Sequence, residues 1–162
     1  MKQAVCAASA IEAMGARIAK GFTLVELLIV VVIMSILATV GYGSYTGYVT
    51  KSHRQAAKNL LYQIADRQEQ FFQDNRVYAN QLTALGYAEN TMALDGDGQL
   101  VPGSHADINY ALSFAAAAAN TFTVQIEPKA IQASRDAKCG TLSLTETGLR
   151  NSSGTAPVND CW

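Results

Sequence analysis

Few side chains in this 162-residue sequence have the types and spacing that catalysis or metal binding requires. The two histidines, His53 and His105, stand far apart, and neither has a second ligand at zinc-binding spacing. Asp95 and Asp97 resemble the start of a calcium loop, but the later oxygen ligands and the closing glutamate are missing, which favours a plain turn. We predict no metal site and no cofactor, with calcium at Asp95 and Asp97 as the lesser alternative.

Covalent catalysis also lacks the residues it needs. The three cysteines, Cys6, Cys139 and Cys161, include no Cys-x-x-Cys pair. The sequence contains no phosphate-binding glycine loop and no recognisable set of nucleophile, base and oxyanion donors. We therefore predict that the protein is not an enzyme.

One carboxylate, Glu26, lies where an ionised group is costly. From Phe22 to Val40, 15 of 19 residues are hydrophobic, and Glu26 is the only charged one. Residues 27–50 carry no charge, and as a helix they extend about 36 Å, against a hydrocarbon core of about 30 Å. The run predicts one membrane-spanning helix, and a single span excludes a one-chain channel or transporter. Because charges inside membranes are usually functional, Glu26 is a candidate site residue.

The charges around this run indicate its orientation. Lys2, Arg17 and Lys20 precede it, which predicts a cytoplasmic N-terminus. Only 15% of the residues are charged and the net charge is −1, so bulk charge gives no support for nucleic-acid binding.

The residues after the apolar run continue the helix with weaker propensity. Three glycines stand close together: Gly41, Gly43 and Gly47. Each lowers helix stability by about 1 kcal/mol, so we expect a bend or local melting there. Three tyrosines at three-residue spacing are typical of an interfacial aromatic belt, with subunit packing as the alternative: Tyr42, Tyr45 and Tyr48.

An amphipathic helix is predicted beyond residue 51. Its apolar positions recur every three or four residues: Ala57, Leu60, Leu61, Ile64, Gln68, Phe71 and Phe72. The opposite face mixes both signs of charge, which favours a solvated surface: Arg54, Lys58, Asp66, Arg67, Glu69 and Asp74.

Alternating apolar residues predict three one-sided strands, over 108–114, 122–126 and 142–144. We expect 115–120 to form a hairpin loop and the antiparallel sheet to cover the apolar face of the helix. Residues 76–87 are predicted to be an irregular connector, and the turn-rich segment 88–107 to lie on the surface.

The string that starts at Lys20, KGFTLVELLIVV, closely resembles the class III signal of type IV prepilins. Two strings near the other end, DAKCGTLSL from Asp136 and VNDCW from Val158, resemble PilE-like minor pilins. The resemblance implies an α+β type IV pilin fold. In it, a long N-terminal helix, membrane-spanning in its first half, packs against a small antiparallel sheet with a disulfide-bounded C-terminal region.

The resemblance also assigns roles to single residues. It implies that a prepilin peptidase cleaves between Gly21 and Phe22 and methylates the new amine. Glu26 then pairs with the amine of Phe22, in its own chain or a neighbouring one, and sets the register of assembly. The alternative is a carboxylate that reaches the membrane interface. With Cys6 removed in the leader, Cys139 and Cys161 remain as an even pair for a disulfide outside the cytoplasm.

Four segments follow from this resemblance. Residues 1–21 are the leader peptide, 22–50 the transmembrane and assembly helix, 51–75 the amphipathic half of the long helix, and 76–162 the globular head. Met1 and Met14 are both candidate starts. We expect the chain in the bacterial inner membrane as a single-pass protein before assembly, and then in the extracellular pilus.

The predicted function is that of a structural subunit of a type IV pilus, a PilE-like minor pilin. Its expected partners are other pilin subunits in a helical filament, the prepilin peptidase and the assembly machinery of the inner membrane. The alternatives are a major pilin, a type II secretion pseudopilin, or a competence pilin that captures DNA. Four basic residues of the head would serve DNA capture: Lys129, Arg135, Lys138 and Arg150.

Overall fold

The computed structural model describes residues 21–162 of the chain. The contacts divide the protein into two compact units that meet in sequence after Val40. Most of the expected leader, with Cys6, Met1 and Met14, lies outside the described residues.

A single helix, α1, runs from Leu24 to Asn75 over 52 residues. It stays α-helical through Gly41, Gly43 and Gly47, so the local melting expected there is wrong. Three weak positions inside a helix this long do not break it, because helix formation is cooperative and each flank is already formed. Among the described residues, no helix combines the length and the apolar character that crossing a membrane requires. The span within 22–50 stays a prediction.

The second unit contains one antiparallel sheet of six strands. The strands are β1 Met92–Asp95, β2 Leu100–Pro102, β3 Ile108–Ala118, β4 Thr121–Pro128, β5 Leu142–Thr145 and β6 Arg150–Ser152. Their order across the sheet is β2-β1-β3-β4-β5-β6. A short 3-10 helix over Leu82–Leu85 precedes the sheet. Two short helices complete the unit: α2 Ala130–Arg135 and α3 Val158–Cys161.

The central hairpin is longer than the sequence predicts. β3 continues to Ala118 and pairs there with Thr121, so the expected loop over 115–120 shrinks to two residues. A register shift between Phe114 and Ala116 allows the extra pairing. A run of alanines shows no alternation of polar and apolar residues, so the sequence does not reveal this part of the strand. The backbone groups of alanine nevertheless form the hydrogen bonds of a sheet as other residues do.

The segment 88–107, expected on the surface, contributes a hairpin of the sheet. Met92, Ala93 and Leu94 are buried and pair with β3, which corrects the expectation for this part of the segment. Three consecutive apolar residues are too few to show a period of two, so pattern reading missed the strand. The hairpin turns at Asp95, whose side-chain Oδ1 accepts hydrogen bonds from the backbone of Asp97 (2.9 Å) and Gln99 (2.8 Å).

The core of the second unit lies between α1 and one face of the sheet, as predicted from the two patterns. Ala57, Leu61 and Ile64 of α1 are fully buried. They pack in one cluster with the apolar residues of the strands: Tyr110, Leu112, Phe122, Val124, Ile126, Leu142 and Leu144.

Candidate functional site

The first turn of α1 contains a capping box that includes Glu26. The carboxylate Oε2 accepts hydrogen bonds from the backbone N–H and the hydroxyl of Thr23, both at 2.9 Å. The backbone N–H of Glu26 donates to the Thr23 hydroxyl at 3.2 Å. Sequence reasoning missed Thr23, although Thr-x-x-Glu before an apolar run is the signature of this motif. Glu26 thus fixes where the helix starts.

The expected processing residues lie directly before this turn. Gly21, Phe22 and Thr23 are outside any regular element, and the Phe22 side chain is 88% exposed. Cleavage between Gly21 and Phe22 stays a prediction, and no regular element that includes these two residues opposes it. Within the described residues the Glu26 carboxylate accepts its hydrogen bonds from Thr23, and pairing with a free Phe22 amine stays a prediction.

The apolar residues of the first unit have no covering surface. Leu24 is 82% exposed and Ile29 is 50% exposed, and the other large apolar side chains up to Leu37 lie in the same range. A helix that is apolar on all sides is unfavourable in water, and such a surface is typical of helices that lipid or other helices cover.

In the second unit, an ion pair joins α1 to Asp136, the residue after α2, and Tyr110 of β3 bonds to the same carboxylate. Arg54 Nε donates to both carboxylate oxygens of Asp136 at 3.0 Å, and Nη2 donates to Oδ1 as well. Tyr110 donates its hydroxyl to Asp136 Oδ2 at 2.6 Å, and the Asp136 side chain is fully buried. Burial and the neighbouring carboxylate raise the pKa of Tyr110 above its usual range. The Asp136 carboxylate raises the pKa of Arg54.

Further hydrogen bonds near this ion pair join α1 to α2 and to β3. Gln132 Nε2 donates to the Thr50 carbonyl at 3.2 Å and to the Tyr110 hydroxyl at 3.0 Å. His53 is half-buried, and its Nδ1 lies 3.1 Å from Asn109 Nδ2. The solvated surface expected for Arg54 is therefore wrong. Its carboxylate partner lies 82 residues further along the chain, where no local pattern points to it.

The C-terminal region is closed by the disulfide between Cys139 and Cys161, which confirms the expected pair, with Cα atoms 5.5 Å apart. The backbone crosses itself tightly inside the loop. A Cβ at Gly154 would overlap the carbonyl of Lys138, so only glycine fits there. Trp162 Nε1 donates to the Asn151 carbonyl at 2.9 Å, which holds the last residue against β6.

An aromatic and basic cluster joins this region to α1. Tyr62 and Trp162 form an edge-to-face pair with ring centroids 6.0 Å apart. The Arg150 guanidinium lies 5.6 Å from the Tyr62 centroid and 5.9 Å from that of Trp162. Lys58 Nζ donates to the Trp162 carbonyl oxygen at 3.2 Å. Burial and the positive charges of Arg54 and Arg150 lower the pKa of Lys58.

The four basic residues considered for DNA have different surroundings. Lys129 donates to Glu127 at 2.6 Å and is neutralised by it. Arg150 belongs to the aromatic cluster, whereas Arg135 lines a cavity with Lys51 and Arg54 of α1. Lys138 is exposed.

Metal binding finds no support in the part of the chain that the structure describes. Over residues 21–162, no group of three or more histidine, cysteine, aspartate or glutamate side chains could hold an ion. Asp95 lies in the hairpin turn described above, and a turn is what the sequence favoured at this position.

Two family models match the chain. One is described as the type IV minor pilin ComP, DNA uptake sequence receptor, and matches residues 43–143. The other is the prokaryotic N-terminal methylation motif, over residues 17–42. The second match contains the Gly21–Phe22 junction and Glu26.

Single relatives match over shorter stretches. The fimbrial protein EcpC of Eikenella corrodens is 35% identical over 72 residues, 44% of this chain and 47% of that protein. The type IV major pilin protein PilA of Myxococcus xanthus is 33% identical over 69 residues, 43% of this chain and 31% of that protein. The matched part thus spans less than half the length of either relative.

A solved type IV pilin from Shewanella oneidensis is 23% identical with a TM-score of 0.45, and covers 70% of this chain and 97% of that one. Because the ComP model matches more than half of the sequence, the chain belongs to the type IV pilin family that this model describes, that of the type IV minor pilin ComP.

Proposed function

We propose that the chain is a minor, PilE-like subunit of a type IV pilus. It is cleaved between Gly21 and Phe22, held in the inner membrane by residues 22–50, and then added to a filament through the same helix. Type IV pilins are structural proteins and not a family of enzymes. The partners are other pilin subunits, the prepilin peptidase and the assembly machinery.

The exposed apolar surface of the first unit is the observation that carries this proposal. Its side chains from Leu24 to Leu37 need a cover of lipid or of neighbouring helices, and a filament supplies the second kind. The only charge in this segment, Glu26, needs a cation when the helices pack without water. The amine released at Phe22 of a neighbouring subunit supplies it.

The experiment is quantitative mass spectrometry of sheared surface filaments and of the membrane fraction. A methylated N-terminal peptide that begins at Phe22, at trace level in filaments, is expected for a minor pilin. Dominance in the filaments would identify a major pilin, and a processed chain found only in membranes would identify a pseudopilin.

The Glu26→Ala variant tests the assembly step within the same experiment. We expect Phe22 to be exposed and methylated as before, because the cleavage site precedes the substitution, while filament incorporation falls at least tenfold. The conservative Glu26→Asp variant keeps the charge and serves as the matched control. Normal incorporation of Glu26→Ala would contradict the assembly role.

DNA capture is a second candidate, since the matched family model names a DNA uptake sequence receptor. The cluster of Arg150, Lys58, Tyr62 and Trp162 offers two cations beside two aromatic rings, which suits phosphate contacts and base stacking. Lys58 and Arg150 lie close enough to lower the pKa of Lys58, so an added phosphate would relieve their repulsion.

Fluorescence anisotropy of labelled DNA with the full chain in detergent tests this candidate. We expect Arg150→Gln to weaken binding and to reduce its salt dependence, because one phosphate contact is lost. Lys129→Gln is the control, since Lys129 is already paired with Glu127. Equal losses in both variants, or no binding at low salt, would exclude the cluster as a DNA site.

A further inference from the structure

A concave site of about 280 Å³ lies where α1 meets the end of α2. Its lining combines small residues of α1 with basic side chains of both helices: Gly43, Thr46, Gly47, Thr50, Lys51, Arg54 and Arg135. Arg54 and Thr50 also take part in the contacts that hold α1, whereas Lys51 and Arg135 have no role described above.

The lining carries more positive charge than the protein neutralises. Arg54 is paired with Asp136, and over residues 21–162 no other carboxylate forms an ion pair with these cations. Among residues 21–162, neither Lys51 nor Arg135 takes part in an ion pair, and both side chains are exposed. Arg135 also lies in the last turn of α2. The cavity therefore keeps two uncompensated cations, which favours an anion.

The floor of the cavity leaves room for a group of phosphate size. A Cβ placed on Gly43 or on Gly47 meets nothing within 4 Å, so space above the helix backbone is open there. The hydroxyls of Thr46 and Thr50 donate to carbonyls of the helix, at 3.0 and 2.9 Å, so their protons are already used. The donors available to a ligand are thus the guanidinium and ammonium groups.

The place of these residues in the sequence identifies the source of the anion. A helix crosses the hydrocarbon core in about 20 residues, and counted from Leu24 such a span ends at Gly43, the first residue of the cavity. The side chains of Tyr45 and Tyr48, 67% and 74% exposed, follow in the same segment, as interfacial aromatic residues do. The cavity then begins at the level of the lipid headgroups.

We propose that this cavity binds the phosphate group of an anionic phospholipid headgroup while the chain is stored in the membrane. Arg135 and Lys51 donate charge-assisted hydrogen bonds to the phosphate oxygens, and the two glycines admit the headgroup to the helix surface. The inference rests on the proposed membrane storage through residues 22–50.

Native mass spectrometry of the full chain in detergent micelles tests the site, with phosphatidylglycerol as the probe and phosphatidylcholine as the neutral lipid. We expect one bound phosphatidylglycerol per chain, and weaker binding of phosphatidylcholine. Arg135→Gln should weaken the phosphatidylglycerol adduct about tenfold, the equivalent of one charge-assisted hydrogen bond. Gly47→Leu, which fills the cavity without a change of charge, should do the same.

Lys138→Gln is the matched control, because it removes an equally exposed charge outside the cavity. An equal loss with Lys138→Gln, or no loss with Arg135→Gln and Gly47→Leu, would overturn the proposal. Displacement of the lipid by inorganic phosphate at the same concentration would also overturn it, since the site would then select any phosphate.

Flotation of the full chain with phosphatidylcholine vesicles separates this proposal from the one on which it rests. If the chain floats but mass spectrometry shows no preference for phosphatidylglycerol, lipid binding in the cavity is contradicted and membrane storage is not. A chain that does not float contradicts membrane storage, and with it the cavity's place at the headgroups. Circular dichroism of the variants checks that each one is folded.

Discussion

At the scale of single residues, two charged side chains have opposite surroundings. Glu26 closes an exposed helix turn through Thr23, and in the proposed filament it acts on a neighbouring chain. Arg54 satisfies a fully buried Asp136 within its own chain, together with Tyr110. The first is available for assembly, whereas the second stabilises the fold.

Replacing Arg54 by methionine should destabilise the second unit by about 3 to 5 kcal/mol, because Asp136 would remain buried without its cation. Urea unfolding followed by circular dichroism measures the change. The control Lys51→Met removes an exposed charge one helical turn away and should cost less than about 1 kcal/mol. Restored stability in the double variant Arg54→Met with Asp136→Leu would identify the unpaired carboxylate as the cause.

Tyr110 gives the fold a pH dependence on the alkaline side. Because its pKa is raised in the folded state, the native protein holds the phenol proton more tightly than the unfolded chain does. Stability is therefore complete below about pH 10, where an unfolded tyrosine begins to ionise, and declines above it. Unfolding of the wild type and of Tyr110→Phe between pH 8 and 11 should show a smaller alkaline loss in the variant. Equal slopes would contradict this role.

At the scale of elements, the sequence predicted those helices and strands whose residues show a clear period. It did not predict contacts between residues far apart along the chain. The long strands β3 and β4 and the apolar face of α1 show their periods and were predicted. The short strands β1, β2 and β6 were not: β1 and β2 are apolar runs without alternation and β6 has no apolar residue, whereas β5, equally short, alternates at Leu142 and Leu144. The ion pair between Arg54 of α1 and Asp136 was not predicted, since it joins residues 82 positions apart. The Gly21–Phe22 junction was recognised from a local sequence motif, without knowledge of the fold.

The glycines of α1 give a prediction at this scale. Gly43→Ala should stabilise the helix by about 0.5 to 1 kcal/mol, because alanine loses less backbone entropy and its Cβ meets no atom within 4 Å. Helix content measured by circular dichroism during thermal unfolding checks the direction. Gly154→Ala is the contrasting variant and should destabilise, since its Cβ overlaps the Lys138 carbonyl. A loss of stability with Gly43→Ala would contradict this prediction.

At the scale of the whole molecule, the two units satisfy their side chains in different ways. The second unit, Gly41–Trp162, has a core of its own between α1 and the sheet. The first unit exposes its apolar side chains along α1. The proposed function needs both properties, since the head would have to stay folded while the surroundings of the helix change from membrane to filament.

The disulfide should account for a large part of the stability of the head. Opening the loop between these two cysteines, which stand 22 positions apart in the sequence, costs about 3 kcal/mol in the chain-entropy model. In the Cys139→Ala, Cys161→Ala double variant the free energy of unfolding should be lower by that amount, so that it unfolds at a lower urea concentration. Reduction of the wild type should have the same effect. A reduced wild type as stable as the oxidised one would show that the packing of β5 and β6 closes the loop without the bond.

Trp162 is the only tryptophan of the chain, and it lies against Tyr62 with its indole N–H on the Asn151 carbonyl. The intrinsic fluorescence of the protein, excited at the red edge of its absorption, therefore originates from one place, the joint between α1 and the disulfide-bounded loop. Without any label, its emission wavelength and anisotropy report whether that joint stays closed. The same signal can be followed in the micelle and in the filament.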